Sequence, residues 1–185
     1  MLKYSSMLEL QSDLIEFDLL NTITGENFSS TSLCKTKPSL IMFICNHCPY
    51  VIHYHQQIQR LEKDFKDKFN LVAISSNDII NYPQDSPEKM ELLWEDLGLR
   101  FPYLYDETQD IAKQYKAECT PEFYLFNQDK KLVYRGRFDE TSPSSEKDPD
   151  GKDLRNAMNH LLEGEKIASE QYPSMGCNIK WKEDQ

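Results

Sequence analysis

The sequence predicts an α/β fold with a mixed central sheet flanked by helices. Two continuous apolar runs, residues 39–44 (SLIMFI) and 71–75 (LVAIS), have the character of strands buried on both faces. The segments between and after them carry apolar residues at helical spacing. Strands therefore alternate with helices along the chain, which is the pattern of an α/β sheet.

The elements follow in order. Residues 12–20 (SDLIEFDLL), Thr24-Gly25-Glu26 and Phe28 predict a short strand or hairpin turning at Gly25, so residues 1–35 read as an N-terminal hairpin extension. After the first buried strand, Val51, Ile58, Leu61, Phe65 and Phe69 predict a helix over 50–69, with Pro49 in its first turn. Residues 77–86 form a polar loop. Ser86 as N-cap and Pro87 at the first helical position predict a helix over 87–97. A short strand over 101–105 and a short helix over 107–117 come next. Residues 123–126 and 132–135 predict a hairpin turning at 127–130. Residues 141–151 (TSPSSEKDPDG) read as a flexible polar loop, 152–163 as a last helix, and 164–185 as a tail packing on the domain.

The chain has 185 residues. At ~150 residues per domain that is one domain, 1–185, able to bury roughly 70% of its unfolded surface. Hydrophobic residues are 39% and charged residues 28%, as in a soluble globular protein. Lys and Arg total 21 against 31 Asp and Glu, a net charge of −10. That balance argues against nucleic acid and against an anionic membrane as partners. No stretch approaches ~18 apolar residues. Residues 1–12 lack a charged then apolar leader, so the expected location is cytoplasmic. Five cysteines, at 34, 45, 48, 119 and 177, are an odd number in a chain that is not small. They argue against a disulfide framework and for redox or metal chemistry.

The strongest motif is Cys45-Asn46-His47-Cys48, directly after a buried strand and before a helix. A helix N-terminus offers free N–H groups and a positive partial charge, and both stabilise a thiolate. The expectation is that Cys45 is the acidified nucleophile and that Cys48, one turn inside the helix, resolves the mixed disulfide. His47 as a cation would favour thiolate over disulfide. The same spacing is half of a zinc site, with His53 and His55 as the other half. Two residues apart on one helix, those histidines point about 200° apart and cannot face one metal. They read as a helix-surface pair. No metal and no cofactor is expected; structural zinc and an inert cysteine pair remain the alternatives. Thr120-Pro121 opens a strand and is a candidate for a cis bond.

The order strand, CxxC, helix, strand, Thr-Pro, hairpin and final helix resembles the thioredoxin fold. The resemblance implies a cis proline beside the CxxC, with Thr120 and Pro121 orienting a substrate chain and with Asn46 and Pro49 completing the binding set. From Cys45 to Pro121 is 76 positions, so residues 76–105 read as an insertion typical of peroxiredoxin-like members. Further stretches sharpen the match. They are Phe43-Ile44-Cys45-Asn46-His47-Cys48-Pro49-Tyr50-Val51, Tyr82-Pro83-x-Asp85-Ser86-Pro87, Cys119-Thr120-Pro121-x-Phe123, Arg135-Gly136-Arg137-Phe138-Asp139 and Pro173-Ser174-Met175-Gly176-Cys177-x-Ile179-Lys180-Trp181. Over nearly the whole chain they resemble peroxiredoxin-like (AhpC/TSA-related) bacterial thioredoxin-family proteins.

Two activities follow from the resemblance. Thiol–disulfide exchange leads, with protein or small-molecule disulfides as substrates and a thiol as electron donor. A peroxidase with Cys48 as the peroxide-reactive sulfur is the alternative. In the peroxiredoxin pattern Pro-x-x-x-Thr-x-x-Cys, Cys45 stands at the threonine and Ile41 at the proline. The arginine expected near 119–124 is also missing, so peroxide has fewer donors to activate it. A non-enzymatic binding module is the third reading. Ile44 replaces the tryptophan of many thioredoxins, and Ser39 stands near the position of their buried carboxylate. Proton handling at Cys48 would then fall to His47, Glu122 or water, although Glu122 reads more simply as an exposed strand charge. Cys119 is either a third redox cysteine or, as favoured, a buried small residue. Cys177 is either a resolving cysteine or, as favoured, part of a structural cap. Cys34 has no expected role, and Arg135 and Arg137 read as a solvated face.

Overall fold

The computed structural model describes residues 1–183. Its main sheet has seven strands in the order β3-β2-β6-β5-β4-β8-β9. These are β2 (Asp18–Asn21), β3 (Asn27–Ser29), β4 (Ser39–Phe43), β5 (Asn70–Ser75), β6 (Tyr103–Tyr105), β8 (Glu122–Phe126) and β9 (Leu132–Gly136). β4, β5 and β6 run parallel, while β2, β8 and β9 join antiparallel, so the sheet is mixed as predicted. The all-apolar run of β4 is buried throughout because it lies in the interior of the sheet.

The side chains of β4 divide the core. Leu40 and Met42 face α1 (Pro49–His53), α2 (His55–Phe65), α3 (Pro87–Leu97) and α5 (Lys152–Glu163). Ile41 and Phe43 face α4 (Asp110–Gln114) and Leu14, Phe17 and Leu33 of the N-terminal region. Ser86 and Pro87 stand at the N-cap and first position of α3 as expected, although the Ser86 hydroxyl bonds Glu88 rather than the helix backbone. Among the described residues, no helix is long and apolar enough to cross a membrane.

Three expectations are corrected. The helix over 50–69 is two helices that meet at Tyr54, which adopts φ −98°, ψ 2°. The Tyr54 side chain is drawn into the core, its hydroxyl 3.0 Å from Asp139 Oδ1 and 2.8 Å from the Thr141 carbonyl. The strand over 12–20 shrinks to β2, its earlier residues serving as core plugs through Leu14 and Phe17. The tail, which shows no periodicity, contains β10 (Met175–Asn178). β10 pairs on one side with β1 (Leu2–Tyr4) and on the other with β7 (Cys119–Thr120), forming a second, three-stranded sheet.

Candidate active site

Cys45 and Cys48 lie in the turn between β4 and α1. Pro49 opens the helix as predicted, and the place of Cys48 one turn inside it is corrected. Cys48 is the N-cap, with extended φ −71°, ψ 121°, and Pro49 is the first helical residue. The cause is local. A residue before proline is pushed out of the helical region, and proline lacks the N–H that an interior position needs. Cys48 therefore stands at the helix start rather than one turn inside it, and Cys45 lies outside the helix.

The Cys48 thiol is lowered to about 5, chiefly by a hydrogen bond from the Cys45 thiol. Burial opposes this, but the Cys177 and Thr120 side chains and the Cys177 backbone add further stabilisation. Cys45 is pushed up by the same bond with Cys48, then by burial and by the Asp85 carboxylate. Their mutual hydrogen bond favours negative charge on Cys48, whereas the sequence reading expected the thiolate on Cys45. Both sulfurs are enclosed, with Cys45 1% and Cys48 0% exposed.

Thr120 joins the pair. Its Oγ1 lies 3.4 Å from Cys45 Sγ, and its carbonyl accepts from Cys48 Sγ at 3.2 Å. The Thr120–Pro121 bond is cis. His47 is half-buried and stacks on Tyr82, with ring centroids 5.6 Å apart. Its Nδ1 is 2.6 Å from Asp85 Oδ2. Sequence reasoning missed Asp85, which follows two loop-like residues in the turn Pro83–Asp85. It is fully buried and also accepts from the Asn46 backbone and Asn77 Nδ2, both at 2.8 Å. Burial pushes its carboxyl up, but His47, Asn77 and the Asn46 N–H outweigh this and hold it below the usual range. Asn46 bonds Gln84 and Tyr103 through its side chain, so it braces the turn, while Pro49 is exposed.

Cys45, His47 and Asp85 each bring one ligand-type atom within 4.8 Å of the others. His53 and His55 lie outside that group. They are also not the surface pair expected: both are half-buried, and His53 Nε2 sits 2.8 Å from Thr141 Oγ1. Cys119 is buried as favoured, its thiol pushed up by burial and by Glu122.

Glu122 is the clearest correction. It is 1% exposed, not a surface charge. It shares a β8 face with Tyr124, opposite the face of Phe123 and Leu125 that packs with Cys45 and Cys48. Its carboxyl accepts from the Glu118 N–H at 3.0 Å and the Tyr124 hydroxyl at 2.7 Å. Burial raises its pKa from 4.5 to about 7. Folding therefore takes up a proton between those two values. The full stability is present below 4.5 and is lost as pH rises through about 7. At ~1.4 kcal/mol per pH unit the loss is about 3 kcal/mol. Glu122→Gln is expected to flatten this dependence and to be more stable than the parent at pH 8. Urea titrations at pH 5 and pH 8 check it; parallel pH dependence in both proteins would refute it.

Arg135 and Arg137 also differ from expectation. Arg135 bonds the Leu8 carbonyl and Gln171, and Arg137 pairs with Asp153 and stacks on Tyr172. Both are half-buried and hold the C-terminal segment rather than forming a solvated face.

Comparison with known proteins agrees with this architecture. The Redoxin family matches residues 13–153. An uncharacterized conserved protein from Geobacillus kaustophilus is 44% identical, with a TM-score of 0.96 over 100% of this chain and 98% of that one. A hypothetical protein from Sinorhizobium meliloti is 35% identical, with a TM-score of 0.93 over 97% of this chain and 98% of that one. The thioredoxin domain of a thiol-disulfide oxidoreductase from Bacteroides vulgatus shares the fold at 18% identity and a TM-score of 0.65, over 84% of this chain and 99% of that one. No curated protein matches the chain significantly. The family match supports a thiol redox function. The chain belongs to the Redoxin family and is a peroxiredoxin-like protein of thioredoxin fold.

Proposed function

We propose that this protein is a thiol–disulfide oxidoreductase that uses Cys45 and Cys48 as its redox pair. One observation carries the reading: the Cys45 and Cys48 sulfurs, buried at the start of α1, both contact Thr120 of the cis Thr120–Pro121 bond, and the Cys48 thiol is held low. The Cys48 thiolate attacks one sulfur of a partner disulfide. A Cys48–partner disulfide forms and the other partner sulfur leaves as thiolate. Cys45 then gives its proton to that thiolate and attacks Cys48 Sγ. The Cys45–Cys48 disulfide forms, the second partner sulfur leaves, and the partner has gained two electrons. Asp85 keeps Cys45 protonated until Cys48 is engaged, and it positions His47 beside the pair.

Reduced protein mixed with oxidised glutathione tests the reading. The expected result is two glutathione thiols released per chain with loss of two protein thiols. No release would refute it. The low-pKa sulfur on Cys48 also favours the peroxidase alternative, because Cys48 stands at the peroxide-reactive position by resemblance. Stoichiometric hydrogen peroxide separates the two readings, since only a peroxidase oxidises Cys48 far faster than its thiolate fraction alone accounts for.

A further inference from the structure

The Cys45 and Cys48 sulfurs are enclosed, yet a third cysteine lies beside their cluster in a more open position. Cys177 is half-buried on β10 and pairs in register with Thr120, the residue that contacts both sulfurs. β10 also packs on α1, the helix that Cys48 caps. It also packs against the apolar cluster that contains Cys45 and Cys48. The strand is fitted closely to this edge. A Cβ on Gly176 would lie 2.0 Å from the Thr120 carbonyl oxygen, so glycine is required for β10 to approach. β1 holds the far side, with Leu2 opposite Cys177.

We propose that Cys177 is a third redox cysteine, exchanging with Cys48 so that electrons reach the enclosed pair through it. This rests on the oxidoreductase reading above. In the oxidised protein the Cys177 thiol loses its proton and its sulfur attacks Cys48 Sγ. The Cys48–Cys177 bond forms as the Cys45–Cys48 bond breaks. The electron pair and a proton pass to Cys45, with no net oxidation. An external thiol then attacks Sγ of Cys177 in the more open bridge, forms a mixed disulfide and frees Cys48 as thiolate. A second external thiol completes the two-electron reduction. Burial and the Cys48 thiolate push the Cys177 thiol up to about 11. Once Cys48 is in a disulfide that repulsion is gone, so Cys177 becomes a better nucleophile in the oxidised state, when it is needed.

The test uses full-length protein in a Cys34→Ser background, because Cys34 is exposed. With Cys45→Ser added, one equivalent of diamide is expected to give an intramolecular Cys48–Cys177 disulfide, seen by mass spectrometry. With Cys177→Ser instead, the Cys45–Cys48 disulfide still forms, and reduced glutathione is expected to reopen it about tenfold more slowly. A Cys48 thiol left free or bridged between chains in the first variant would overturn the proposal, as would an unchanged reduction rate in the second. If the Cys34→Ser protein forms no Cys45–Cys48 disulfide at all, the oxidoreductase reading itself fails.

Discussion

Cys48→Ser abolishes disulfide reduction, and Cys45→Ala leaves a protein that reacts once and stalls. The first variant removes the low-pKa sulfur; burial and Asp85 still push Cys45 up, and burial and Glu122 push Cys119 up, so neither substitutes at neutral pH. A loss of at least about a thousandfold is expected, because the thiolate is the nucleophile. The second variant removes the hydrogen bond that does most to lower Cys48. Its Cys48 pKa is expected to rise from about 5 towards the ordinary value near 9, and a mixed disulfide with glutathione accumulates. Iodoacetamide alkylation against pH reads this directly. In the parent, Cys48 reacts at a constant rate above about pH 6 and at half that rate near pH 5. In Cys45→Ala the profile moves up by more than one pH unit. An unmoved profile would mean that Cys45 does not hold the thiolate.

Gly176→Ala is the second large effect, and it acts through backbone geometry. The added Cβ meets the Thr120 carbonyl carbon at 2.7 Å as well as its oxygen at 2.0 Å. Both are main-chain atoms, so no side chain can swing away. Forcing extra volume into a closed contact costs typically 1–3 kcal/mol, and here the upper end applies because strand pairing must yield. At ~2–4 °C per kcal/mol for a chain of this size, a fall in Tm of roughly 10 °C is expected. β10 should also lift from β7, so Cys48 and Cys177 become faster to alkylate. Calorimetry and alkylation with mass mapping check both. A variant with parental Tm and parental reactivity would show that the close approach of β10 is not needed.

Much of this was legible in the residues, and the failures have local causes. The buried runs of β4 and β5, the α3 start at Ser86-Pro87 and the β8–β9 hairpin follow from patterns that dominate their own neighbourhoods. β1 and β10 have three and four residues, too few for a period to show; they pair with each other across more than 170 residues, and β10 pairs with β7 across 57. The helix break at Tyr54 reflects a hydroxyl reaching the distant Asp139 and Thr141. Pro49, by contrast, already carried the message that Cys48 precedes the helix, since proline at the first helical position excludes a helical residue before it.

The site was partly legible. Cys45, Cys48, His47 and Thr120 come together as the thioredoxin resemblance implied. Asp85 stood in a family-like stretch without a role, because nothing in a polar loop marks one carboxylate as buried under a histidine. Glu122 was misread because one strand acid has no visible partner until Tyr124 and the Glu118 backbone fold around it.

The most direct test of the central claim is a glutathione redox titration of the parent protein, quenched by alkylation and mapped by mass spectrometry. The account predicts that Cys45 and Cys48 lose reactivity together as a reversible two-electron couple. The Cys45–Cys48 bridge is the main product, with a potential between about −270 and −120 mV, the span of thioredoxin-fold exchangers. Cys45 remaining alkylatable while Cys48 is oxidised would contradict it.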